Sequence, residues 1–151
     1  MTDTTSAAPP LTDHRPLSTA SALLDRFEEF LHRALRRQLW VCFLDDDLVQ
    51  LPLVVPVEDV PVRPRPEPLA GLLDAFEEVG RHVGASRVVV VLERPGPGAA
   101  RTSDAAWTEA VTSGLEGRSL TLHALLVCSD DGVELLLAPG LEHGRSDAPP
   151  V

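Results

Sequence analysis

Few side chains in this sequence stand together in a way that could do chemistry. Glu93-Arg94 ends an apolar run, and Ser103-Asp104 follows a loop holding Pro95, Gly96, Pro97 and Gly98. A guanidinium beside a Pro/Gly loop can hold a carboxylate or phosphate through parallel, charge-assisted hydrogen bonds. Glu93, Arg94 and Ser103 are therefore the candidate ligand-binding residues. The competing reading is that Glu93 and Arg94 are solvated charges at a strand end, as loop-edge charges usually are. Ser103 has no Asp/Glu and His at a spacing that would activate its hydroxyl, so a nucleophile's role lacks support. As a helix N-cap it would contribute typically about 1 kcal/mol, which suffices to explain a serine there. Asp104, in the first turn, would favour the same helix end electrostatically.

The remaining reactive residue types are dispersed. His14, His32, His82, His123 and His143 show no paired spacing, and Cys42 and Cys128 form no CxxC. Both cysteines lie in apolar runs and read as small buried hydrophobes, with a disulfide open only if their strands meet. Asp45-Asp46-Asp47 lacks the spacing of a calcium loop and reads as a solvated turn. Trp40 and Trp107 fall at core positions rather than on a stacking platform. His123 sits inside an apolar strand and reads as a core or partly exposed histidine. The residues themselves call for neither a metal nor a cofactor.

The chain's bulk properties narrow the function classes. With 151 residues and 44% hydrophobic content, a single domain with its own core is expected. A formal charge of -10 argues against nucleic-acid partners, which need clustered cations. Arg33, Arg36 and Arg37 are explained by the negative end of a helix. All 13 cations are Arg, and Lys, Ile, Asn and Tyr are absent, which points to a G+C-rich genome rather than to function. The first twenty residues carry no apolar signal core, and no run reaches ~18 apolar residues, so a cytoplasmic location without membrane contact is expected.

Hydrophobic periodicity places the elements. Residues 1–16 read as a disordered tail, 17–138 as one domain and 139–151 as a second tail. Ala20, Leu23, Leu24, Phe27, Phe30, Leu31, Ala34 and Leu35 recur at helical steps, predicting an amphipathic helix over 17–37 capped by Ser18 or Ser21. It should pack on the domain, with a partner or dimer contact as alternatives. Leu39 to Leu44 and Leu48 to Val57 read as a hairpin whose second strand, broken by Pro52 and Pro56, belongs at an edge. A proline-rich connection leads to a helix with its stripe at Leu69, Leu72, Leu73, Phe76, Val79 and Val83, stopped by Gly84. Arg87 to Leu92 reads as a central strand covered on both faces. A helix from Ser103, a strand over Leu120 to Ser129 and a closing hairpin at Asp130-Asp131-Gly132 follow. The order predicts an α/β (α+β) sandwich: a mixed sheet of about five strands flanked by three helices.

This order, with Leu92-Glu93-Arg94-Pro95, seven residues and Ser103-Asp104-Ala105-Ala106, resembles the JAB/MPN zinc hydrolases and their His-x-His-Pro and Ser-x-x-Asp signature. The fold it implies is JAB/MPN- or cytidine-deaminase-like. The RadC-type branch looks similar over Leu39 to Leu137: Leu39-Trp40 to Leu44-Asp45 matches its opening strand and turn, and His123 a histidine in its later strand. In that family two His and an Asp hold zinc, and a Glu activates a water. The corresponding positions here are Leu92, Arg94 and Ala106, which cannot ligate a cation. The resemblance therefore implies a non-catalytic RadC/JAB-like binding or scaffolding domain, with a protein partner or self-association. The alternative is an enzyme or small-acidic-ligand-binding protein using the cleft near Arg94. A third reading is an unrelated α/β regulatory domain.

Overall fold

The computed structural model describes residues 14–141, so of the expected tails 1–16 and 139–151 the parts 1–13 and 142–151 lie outside the described residues. The elements are α1 (Ala20–Phe30), β1 (Gln38–Leu44), β2 (Gln50–Glu58), α2 (Pro66–Val83), β3 (Arg87–Glu93), α3 (Thr102–Leu115), β4 (Thr121–Ser129) and β5 (Gly132–Leu137). They build an α+β sandwich around one five-stranded mixed sheet of order β2-β1-β3-β4-β5. β3 and β4 are parallel and joined through α3, while the other neighbouring pairs are antiparallel. Among the described residues, no helix is long and apolar enough to cross a membrane.

Strand alternation sorts the core into two layers. Leu39, Val41 and Phe43 of β1 and Val88, Val90 and Leu92 of β3 meet α2 and α3 on one face. Cys42, Leu44, Val89 and Val91 meet α1 on the other. β3 is buried on both faces because it is the middle strand. β2 is an edge, where the missing N–H groups of Pro52 and Pro56 interrupt no inner ladder. The Asp45 carboxylate accepts the N–H groups of Asp47 (2.8 Å) and Val49 (3.0 Å), so the acidic triplet is a side-chain-closed turn. Gly84 ends α2 at φ 79°, the left-handed cap glycine adopts without strain.

Several expectations need correction. The first helix stops at Phe30 instead of running to residue 37. Beyond it the backbone has tertiary partners: the N–H of Ala34 binds Ser129 O, and those of Leu35 and Arg36 bind the Glu93 carboxylate. Arg33, Arg36 and Arg37 therefore lie in an irregular segment and not on a helix end. Thr19, not Ser18 or Ser21, caps α1 through its bond from Ala22 N. The apolar stripe of α1 is spent on the sheet, with Leu23 and Phe27 fully enclosed. At the far end the packed chain extends past 138: Leu141 is buried in the α1-side core.

Candidate functional site

Glu93 and Arg94 leave β3 on opposite faces, and neither is solvated, contrary to the strand-end reading: Glu93 is 2% exposed and Arg94 0%. On the α3 side, the Arg94 guanidinium grips Asp104 in a two-pronged pair, Nε to Oδ1 and Nη2 to Oδ2, both 2.8 Å. Nη1 donates to Pro97 O at 2.7 Å, and Nη2 also to Ala99 O at 3.2 Å. The Pro/Gly loop is thus wrapped around the cation, its carbonyls turned inward. Asp104 completes the arrangement by accepting the Arg101 N–H at 3.1 Å. Burial pushes the Asp104 carboxyl up, but the bonds from Arg94 and Arg101 prevail and hold it below the usual carboxylate range. The same pairing raises the Arg94 guanidinium further.

Those bonds decide what Arg94 can do. Its donors face a carboxylate and two carbonyls of its own chain, so the sequence-based role of gripping an external anion would require breaking a buried pair. Ser103, the third candidate, does not cap α3. The cap position is Arg101, and the Asp104 carboxylate serves its N–H. Ser103 is buried in the first helical turn and accompanies Arg94 without an observed bond to it.

On the α1 side, Glu93 is a hub of neutral donors. Oε1 accepts Gln38 Nε2 and Trp40 Nε1, both at 2.8 Å. Oε2 accepts the N–H groups of Leu35 (2.7 Å) and Arg36 (3.2 Å). Glu93 forms the floor of an open depression of about 670 Å³ bordered by Phe30, Trp40, Arg36 and Glu58. Sequence reasoning singled out Glu93 but missed its partners, because they converge from four positions spread over 35–40. Trp40, edge-on to Phe30, is half-buried and serves this carboxylate.

The other reactive groups are inert or structural. Cys42 and Cys128 are free and separated by β3, and burial pushes both thiols up to about 12, so neither is poised as a nucleophile. His123 is fully enclosed at a register break: Val88 pairs Leu122 and Val89 pairs Ala124, leaving His123 as the extra residue of a β-bulge. Its Nε2–H donates to Leu17 O at 2.7 Å, and Nδ1 is enclosed without a partner. Burial pushes this imidazole below its ordinary value, keeping it neutral.

The metal that the resemblance implies does not fit these residues. Leu92 is apolar core, Arg94 is an ion-paired cation, and Ala106 carries no donor. Among the described residues, no three His, Cys, Asp or Glu side chains converge where they could share an ion. No family model matches this chain, and no curated protein matches it.

Proposed function

We propose that the chain is a non-catalytic, RadC-like JAB/MPN-type domain that works by binding rather than by hydrolysis. One observation carries the reading: Arg94, at a position where such a hydrolase would present a metal ligand, is spent on Asp104 and on the surrounding loop. A guanidinium joins the end of β3 to the start of α3, a connection that in a hydrolase would run through the metal. The element order, helix-strand-strand-helix-strand-helix-strand-strand, supports the resemblance, as does the Pro/Gly loop followed directly by a helix. The test is metal analysis after incubation with zinc and exhaustive dialysis. The reading expects far less than one ion per chain, and one retained equivalent would overturn it.

A further inference from the structure

Beside the buried pair stand two more guanidinium groups with nothing to hold. Continuing the β1–β3 register one step beyond Gln38↔Glu93 sets Arg37 across from Arg94, on the α3-side face of the sheet. Arg37 Nη1 is enclosed and has no hydrogen-bond acceptor. Arg101, at the cap of α3, folds its guanidinium over Gly96, where any Cβ would collide with Nη2; at φ 112° that position also favours glycine. Neither Arg37 nor Arg101 forms an ion pair among the described residues, in contrast to Arg36, Arg81, Arg94 and Arg118.

The local charge is therefore unbalanced. Asp104 is the carboxylate that serves this spot, and Arg94 already neutralises it. Two cations are left at the N-terminal end of a 14-residue helix, whose own dipole is positive there. Asp130 and Glu134 lie within the field of Arg94 but pair with neither arginine. An enclosed cationic donor without an acceptor is costly, and like charges brought together add to that cost. In a chain of net charge -10 such a concentration of positive charge stands out.

We infer that Arg37 and Arg101 form a binding site for a phosphate-type oxyanion at the N-terminal end of α3. Two forked guanidinium groups offer donors to several oxygens of one tetrahedral dianion, and the helix start favours the same charge. Burial and the repulsion of Arg101 and Arg94 lower the Arg37 guanidinium from its ordinary value, the condition that a bound anion relieves. The site does not rest on the resemblance above: it would stand in any fold that brought these side chains together.

The experiment is a titration of the full chain with inorganic phosphate, followed by thermal unfolding and calorimetry. Acetate and chloride at matched ionic strength distinguish a tetrahedral dianion from any carboxylate or from screening. Phosphate is expected to raise the melting temperature above both controls. Arg37→Gln and Arg101→Gln should each weaken phosphate binding by about tenfold, the equivalent of one charge-assisted bond. Together they should remove the phosphate-dependent rise, while leaving the phosphate-free protein at least as stable as the parent, because a repulsion has gone. An unchanged rise in the double variant, or phosphate no better than chloride, would overturn the inference. So would a double variant markedly destabilised without phosphate, since that would make these arginines struts of the fold.

Discussion

The two faces of the sheet at the end of β3 handle a buried charge differently. On the α1 side, Glu93 is held by neutral donors, two of them backbone N–H groups of an irregular segment. On the α3 side, Arg94 is held by an opposite charge and by inward-turned carbonyls. The first solution fixes a loop at the cost of leaving helix 17–37 unfinished after Phe30. The second fixes both a loop and a helix start, and it crowds further cations around a carboxylate that is already taken. Adjacent residues thus organise two separate connections, and on the α3 side an enclosed guanidinium nitrogen of Arg37 is left without an acceptor.

The contrast should break first at Arg94. Arg94→Met strands the buried Asp104 carboxylate and unties the 95–101 loop, and should cost about 3–5 kcal/mol in urea unfolding. Glu93→Gln keeps the shape but turns an amide N–H₂ toward existing donors. Its expected cost is smaller, about 1.5–3 kcal/mol, since hydrogen bonds to a charged acceptor are weakened rather than a charge abandoned. Hydrogen exchange should then show faster opening at Leu35 and Arg36 and little change in α3. A loosened α3 in that variant would mean the two faces are not independent.

A third solution, a buried group kept neutral, lies at the other end of β4. Gly140 passes so close to His123 Nδ1 that a Cβ would collide with the ring, so Gly140→Ala should cost about 1–3 kcal/mol by overpacking, read as a lower melting temperature. The smallest effect is the pH dependence. The folded state holds His123 below its ordinary 6.5, so the unfolded chain binds the proton more readily. Stability from this group is full above pH 6.5 and falls as pH drops through the window beneath it. Asp104 acts lower on the scale: its contribution is full above the ordinary 3.8 and lost as pH falls through its lowered folded value. Urea midpoints against pH should show both slopes, with the acidic one reduced in Arg94→Met.

Much of the architecture was readable because it depends on local pattern. Helical spacing located α1, α2 and α3, and the β-branched run Arg87 to Leu92 located a strand covered on both faces. Pro52 and Pro56 marked the edge. What pattern could not supply was long-range pairing. Glu93 finds its donors across 53 to 58 residues, and these end α1 early despite Ala34 and Leu35 continuing its apolar spacing. The Arg94–Asp104 pair was within reach, since both residues flank one short loop. A charge next to a Pro/Gly loop reads as solvated only until its counter-ion is identified. Residue type favours Ser103 as the cap, whereas Asp104 serves that end because Arg94 fixes its carboxylate. Arg37 reads in the sequence as a helix-end charge beside Arg33 and Arg36, because its place across from Arg94 comes from strand register.

The central claim is that a buried guanidinium–carboxylate pair joins the end of β3 to the start of α3. A double-mutant cycle of Arg94→Met and Asp104→Leu, read by urea unfolding, tests it most directly. The account predicts a coupling of about 2–3 kcal/mol, with the double variant more stable than either single one. Additive losses, with a coupling under about 0.5 kcal/mol, would contradict it.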